Sequence, residues 1–352
     1  MHTIVNRGGP QDAHLGAGPV APDWEAIRTF LELVRYGSFR SAAEHLGLSP
    51  NALRRKIDDL ERSLGMILVT RHVDGIRTTA EGGEILLAAK KMEEAAFGLV
   101  RARDRTLPEM SGEVRLAVTE AFGTFWLGPR LVEFQRAYPK LVVDLACAMR
   151  SADVLRLEAD VAIQLSRPTT PDVKILRLGR IHSMPAAAPS YLDLYGTPKS
   201  IEDIRNHRLA VQFADQTQSH QFFEQLFPGT TPGELVKFST NNSTALLWAI
   251  IKGAGIGWSP TYVHAMGPRM VPLDIDGTVF PFDIWLTYHP DAARLPRVRR
   301  LIDWIVENFD PKTFPWFRDE FIHPRDLPGQ YQGPPLVNLF EGRDSGLTAP
   351  LD

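Results

Sequence analysis

The segment Phe39 to Ile57, FRSAAEHLGLSPNALRRKI, constrains this chain more than any other. It reads as two short helices joined by a tight turn. Ser38 is placed to cap the first helix with its hydroxyl. Phe39, Ala42, Ala43 and Leu46 fall at helical spacing and face inward, the alanines being small where a second helix must come close. Gly47 stands where a helix ends in a left-handed residue. Ser49 then caps the next helix, with Pro50 at its first position, where a missing N–H costs nothing. Leu53, Ile57 and Leu60 form the buried stripe of that helix, which leaves Asn51, Arg54, Arg55 and Lys56 pointing outward. An Arg-Arg-Lys run alone is usually a solvated helix face. Preceded by a helix, a glycine turn and a cap, it reads better as the recognition helix of a helix-turn-helix DNA reader.

The surroundings extend the pattern. Trp24, Ile27, Phe30, Leu31 and Val34 trace an amphipathic helix upstream. Leu60-Glu61, Leu64-Gly65, Leu68, Arg71 and Thr78-Thr79-Ala80-Glu81-Gly82 follow downstream. From Trp24 to Gly82 this order and spacing resembles the DNA-binding end of LysR-type transcriptional regulators. Three positions depart from the family's habit: Pro50-Asn51 after the capping serine, Arg54 before Arg55, and Val69-Thr70 before the wing. The first two change side chains that would face base edges, so no operator sequence carries over. The resemblance implies DNA contacts from Ser38, Ser49, Pro50, Asn51, Arg54, Arg55, Lys56, Arg71, Arg77 and Thr78.

Composition agrees. At 352 residues the chain suits two or three folding units. A net charge of −3 argues against a protein coated in nucleic acid, while local positive charge on the recognition helix and wing suits a sequence reader. The single cysteine, Cys147, excludes an intramolecular disulfide and reads as a small buried strand residue. No stretch has the apolar length of a membrane span. Residues 1–22 lack a signal-peptide core and read as a flexible tail, so a cytoplasmic location is expected.

Residues 23–79 form the expected winged helix-turn-helix. From a cap at Thr79, residues 80–106 read as one long linker helix. Ile85, Ala89, Met92, Ala96 and Leu99 recur at steps of four and three, a heptad-like seam suited to pairing with the same helix of a second subunit. From Glu113 the texture changes to alternating strands and helices: strands at Val114–Val118, Leu141–Ala146 and Asp160–Ile163, helices at Leu127–Tyr138 and Ala152–Leu157. Ala186–Leu192 and the run Leu246–Pro260 resemble the second subdomain of LysR-type effector domains. The expected fold is therefore α/β with an N-terminal all-α winged helix-turn-helix and a two-lobed, periplasmic-binding-protein-like effector domain at 113–310. Lobe 1 takes 113–184 and 265–310, lobe 2 takes 185–264, and a partly disordered C-terminal extension takes 311–352. Phe314, Trp316, Phe317, Phe321 and Ile322 in that extension form a cluster expected to dock on its own lobe or on a neighbouring subunit, with loose order from Arg325 onward.

No catalytic set is legible. The glycines at 253, 255 and 257 follow a helix instead of preceding one, the wrong order for a dinucleotide loop. His264, His289 and Asp291 lack metal spacing, His182, His207 and His220 are scattered, and no Gly-x-Ser-x-Gly elbow occurs. No metal and no cofactor is expected. Ligands of open α/β sheets sit at the carboxyl ends of strands. On that ground Thr119, Glu120, Phe122, Thr124, Arg150, Gln164 and Asn242 are the candidate effector-binding residues. Glu120 counts against a simple anion site, because its carboxylate already occupies positive potential at a helix N-terminus.

These features together describe a sequence-specific DNA-binding transcriptional regulator modulated by a small molecule in the interlobe cleft. The alternative is a solute-binding protein or metabolic enzyme with an incidental helix-turn-helix. Expected partners are double-stranded DNA, an unidentified small-molecule effector, further copies of the chain as a homodimer or homotetramer, and RNA polymerase, with no membrane.

Overall fold

The computed structural model describes residues 22–104, 110–217, 219–265 and 270–333. The expected N-terminal tail, the end of the linker and the last stretch of the C-terminal extension lie outside them. The chain divides into two compact units, Met1–Ala96 and Phe97–Asp352.

The first unit opens with α1 (Trp24–Tyr36), α2 (Phe39–His45) and α3 (Pro50–Leu64). Each forms where apolar residues recur at helical spacing, and Ile27, Phe30, Leu31, Leu33, Ala42, Ala43, Leu53, Ile57 and Leu60 meet in one core. A hairpin of β1 (Val69–His72) and β2 (Gly75–Thr78) makes the wing. The long helix α4 (Ala80–Asp104) begins at a cap, with Gly82 N–H donating to the Thr79 hydroxyl at 2.8 Å. Arg35 joins α1 to α4 by binding Glu32 at 2.7 Å and Glu93 at 3.2 Å.

Part of the expected seam on α4 is engaged within its own domain. Ala89 is 1% exposed and belongs to the core of the helix-turn-helix unit, and Ile85 packs against the same core. Met92 and Leu99, one and two heptads beyond Ile85 on the same side of the helix, are 39% and 76% exposed, and Ala88 and Ala95 beside them are exposed as well. Ala96 is half-buried.

The second unit holds two α/β lobes. The chain enters with β3 (Gly112–Val118) and turns into a continuous helical stretch. That stretch contains a six-residue π-helical segment, Phe122–Leu127, and ends as α5 (Gly128–Ala137). β4 (Leu141–Cys147) and β5 (Val161–Gln164) both pair with β3 in parallel. The long β6 (Lys174–Ala187) carries the chain towards the smaller lobe. There lie α6 (Pro189–Tyr195), α7 (Ile201–Ile204), β7 (Leu209–Gln212), α8 (Ser219–Leu226), α9 (Pro232–Leu235), β8 (Val236–Thr240) and α10 (Ser243–Ile251). β9 (Gly257–Pro260) runs antiparallel to β6, followed by α11 (Thr261–Ala265). β10 (Val271–Pro272), β11 (Phe280–Tyr288) and α12 (Pro296–Asn308) complete the larger lobe. Its sheet order is β10-β6-β11-β5-β3-β4, so the three parallel strands continue into antiparallel ones.

Four expectations change here. Ala152–Leu157 is a turn, not a helix: the Asp153 carboxylate caps it by accepting from the N–H groups of Leu155 and Arg156, but Leu157 takes a left-handed φ of 58°, which ends the stretch within one turn. Cys147 is exposed instead of buried, because β4 is the edge strand. Lobe 2 does not end at residue 264, since Leu273 and Ile275 pack in its core with Tyr191, Leu209 and Phe227. The C-terminal extension is built onto its own unit well past Arg325, through α13 (Leu327–Gln330), with Trp316, Phe317, Ile322 and Leu327 buried in the core of the larger lobe.

Candidate functional site: a DNA-reading face and an apolar cleft

The reading head is assembled by local hydrogen bonds. Ser41 N–H donates to the Ser38 hydroxyl at 3.1 Å and Ala52 N–H to the Ser49 hydroxyl at 3.1 Å, so both serines act as helix caps. Gly47, at φ +64°, makes the turn between α2 and α3, a conformation that a side chain would strain. Asn51, Arg54 and Arg55 stand exposed on α3, and Lys56 is half-buried. The Phe39 ring lies between two cations, with the Arg54 guanidinium 5.6 Å and the Arg71 guanidinium 5.1 Å from its centroid. This stacking holds both arginines towards the same side without neutralising them. Among the described residues, neither Arg54 nor Arg55 makes an ion pair. Other surface arginines of this unit do: Arg77 pairs with Asp74 at 3.0 Å and Arg62 with Asp59 at 2.7 Å. The recognition helix therefore keeps a free cationic face with donors suited to phosphates and to guanine edges. Arg77 is the expected contact that departs from this, its guanidinium being engaged at the wing. Thr78 is half-buried at the end of β2.

The second unit contains a cavity of about 150 Å³ between its lobes. Thr119 and Phe122 line it, as the strand-end argument expects. The other expected residues do not. Because the helix starts at Glu120, Thr124 is carried round to the exposed side. Glu120 accepts from Ser243 N–H of α10 at 2.7 Å, a bond that closes one lobe on the other. Leu165 N–H donating to the Gln216 side chain at 2.8 Å is a second such bond. Arg150 points away and binds Glu158 at 3.0 Å. The Glu158 carboxyl is partly desolvated, but the Asp153 backbone and Arg150 hold it below the usual carboxylate range. Gln164 is buried and donates to the Ser166 carbonyl at 2.7 Å. Asn242 is spent as the cap of α10, accepting from Ala245 N–H at 2.7 Å. Beside the cleft, partial burial and the Glu120 carboxylate push the Cys147 thiol up.

Sequence reasoning missed most of the cavity wall. Phe222 and Phe223 of α8, Leu246 and Ile250 of α10, Ser259 of β9 and Tyr262 of α11 all line it. The apolar run Leu246–Ile251 was the one legible signal, since a helix apolar on every side must be buried on every side.

Residues 24–83 match the family described as "Bacterial regulatory helix-turn-helix protein, lysR family", and residues 108–310 match "LysR substrate binding domain". A protein of Xanthomonas campestris pv. campestris (strain 8004), named as an HTH-type transcriptional regulator, is 29% identical over 300 residues, covering 80% of this chain and 84% of that one. The glycine cleavage system transcriptional activator of Escherichia coli (strain K12) is 27% identical over 293 residues, covering 81% of this chain and 93% of that one. Among solved structures, CrgA, a LysR-type transcriptional regulator from Neisseria meningitidis, shares the fold with a TM-score of 0.50 at 22% identity, covering 82% of this chain and 99% of that chain. Among the described residues no helix is long and apolar enough to cross a membrane. With both halves of the architecture matched, the chain belongs to the LysR-type family: it is a DNA-binding transcriptional regulator with an effector-binding domain.

Proposed function

We propose that α3 enters the major groove, that Asn51, Arg54 and Arg55 read base edges, and that Lys56 and Arg71 anchor phosphates. The unpaired cationic face of a doubly capped helix-turn-helix carries this reading. Two chains pair through the exposed face of α4, along Ala88, Met92, Ala95 and Leu99, presenting two recognition helices to two half-sites. The effector occupies the cavity between the α/β lobes and acts by its different affinity for two arrangements of the assembly. The protein works in the cytoplasm and by binding DNA and effector, a reading supported by its membership of a family of transcriptional regulators.

Paired substitutions on α3 test the reading head. Arg54→Ala is expected to weaken a cognate site more than random DNA, by about 1–3 kcal/mol of discrimination. Lys56→Ala is expected to weaken both about equally and to lower the salt slope by about one unit. Equal losses on both DNAs for Arg54→Ala would mean that Arg54 reads no base.

Thr119→Val tests the cleft. It keeps the shape and removes one hydroxyl from the wall. The effector dose response should shift by about 0.5–1.5 kcal/mol, with binding to operator unchanged in the absence of effector. A normal dose response in Thr119→Val and in a Phe122→Leu variant would place the sensor elsewhere.

A further inference from the structure

The cavity wall has a chemistry that selects its occupant. Its described lining is built from Phe, Leu, Ile, Val, Ala, Met, Trp and Tyr side chains with a few neutral polar groups, and contains no formal charge. Most of those polar groups are already bonded within the protein. The Gln212 amide and the Ser243 hydroxyl bind one another at 3.1 Å. The Thr217 hydroxyl donates to the Ala214 carbonyl at 2.9 Å, and Ser219 donates to Thr217 at 2.6 Å. The Trp258 indole N–H donates to the Thr278 carbonyl at 2.7 Å. Two lining residues carry hydroxyls that are both buried and unbonded. Ser259 is 2% exposed and Tyr262 is 1% exposed, and neither hydroxyl has a hydrogen-bond partner among the described residues. Buried hydroxyls are ordinarily satisfied, and leaving one unmade costs free energy on every folding event. Both residues line the cavity while their hydroxyl oxygens lie buried behind its wall, so a ligand that draws either hydroxyl into contact supplies the missing partner.

We infer that, within the cleft reading above, the effector is a small, neutral, ring-containing molecule that is largely apolar and carries a hydroxyl or carbonyl bonded by Ser259 and Tyr262. An anion is disfavoured three times over. Among the described residues no cation lines the wall, the Glu120 carboxylate borders the cleft, and the N–H of Ser243 at the start of α10 is already held by that carboxylate. Taking a bare charge out of water into such a wall is costly unless it is paired. A cation fares little better, because the Glu120 carboxylate is engaged and the wall supplies no second one. The size agrees: apolar cavities of about 150 Å³ stay dry and accept ligands of benzene size. Burial pushes the Tyr262 phenol well above its ordinary range, so it remains a neutral donor at any working pH.

The test uses the purified full chain and ring-matched probes: p-cresol, acetophenone, toluene, benzoate and benzylammonium, each at millimolar concentration, read by calorimetry and by thermal shift. The expected result is saturable binding of p-cresol and acetophenone, weaker binding of toluene, and none of the two ions. Tyr262→Phe and Ser259→Ala should each weaken p-cresol about 3- to 10-fold while leaving toluene unchanged. Tyr262→Phe should also leave the ligand-free protein at least as stable as the parent, since it removes an unmet hydroxyl without a cavity. Ala210→Leu, which fills the cavity from β7, should abolish binding of every probe. Benzoate or benzylammonium binding more tightly than the neutral probes, and lost in Ala210→Leu, would overturn the ligand class and keep the cleft. Probe binding that survives Ala210→Leu would remove the cleft as the site. No binding of any neutral probe, or equal loss of p-cresol and toluene in Tyr262→Phe, would likewise overturn the inference.

Discussion

Replacing Phe317 with alanine is expected to cost the effector domain about 3–5 kcal/mol, the range for deleting a buried aromatic ring. Phe317 is fully buried. Its ring lies 4.8 Å from Phe309, 5.1 Å from Trp126, and 6.3 Å from both Phe122 and Tyr262. Its backbone is equally committed: a β-carbon at Gly179 of β6 would come within 2.7 Å of the Phe317 carbonyl oxygen, so the extension sits directly on the sheet. The neighbouring Trp126 is itself held in place, its indole N–H donating to the Asn308 carbonyl at 2.9 Å. For a domain of this size the loss corresponds to a fall of about 6–20 °C in melting midpoint. Because Phe122 and Tyr262 also line the cavity between the lobes, affinity for any ligand bound there should fall with stability. Calorimetric melting of the second unit checks the first part. A midpoint within a degree of the parent would mean that the extension is not part of the core.

Replacing Met92 with glutamate is expected to lower operator affinity by about two orders of magnitude or more at fixed protein concentration, because two half-sites would no longer be held by one body. Met92 lies in the middle of the exposed stripe Ala88, Met92, Ala95, Leu99, whose steps of four and three match a helix-pairing seam. Two glutamates meeting across a two-fold axis would repel, and burying them unpaired is costly. Sedimentation should show the assembly dissociating while the first unit keeps its helical signal, since Met92 is not part of that unit's core. An unchanged assembly with unchanged operator binding would remove this face of α4 as the pairing surface.

How far the sequence spoke depended on how local each signal was. The helix-turn-helix was legible to the residue because its signals act over three or four positions: Ser38 and Ser49 cap as expected, Gly47 takes positive φ, and Leu53, Ile57 and Leu60 are buried. Along the expected α4 seam, Ile85 and Ala89 pack against the domain core while Met92 and Leu99 stay exposed. Spacing alone cannot tell a stripe that packs inward from one that waits for a partner. In the effector domain, strand-end reasoning led to the interlobe cavity but named only Thr119 and Phe122 of its wall. Arg150 and Asn242 were lost to Glu158 and to a helix cap, commitments set by short-range geometry that the residue type does not announce. Ser259 and Tyr262 could not be found from spacing, because what distinguishes them is the absence of partners once distant strands and helices have closed around them. The docking of the C-terminal aromatics on their own lobe was one of two expected outcomes, and the glycine at 179 that accommodates it is more than a hundred residues away in sequence.

The central claim is that this chain recognises particular DNA sequences through α3. The most direct test is a selection of genomic fragments by the purified protein, followed by affinity measurement on the enriched and on random fragments at several salt concentrations, with Arg54→Ala alongside. The account predicts a discrete set of sites bound about 10³-fold or more tighter than random DNA. It further predicts a salt dependence shared by both kinds of fragment and a collapse of the enriched set in Arg54→Ala. Uniform binding to all fragments, or the same enriched set from the parent and from Arg54→Ala, would contradict it.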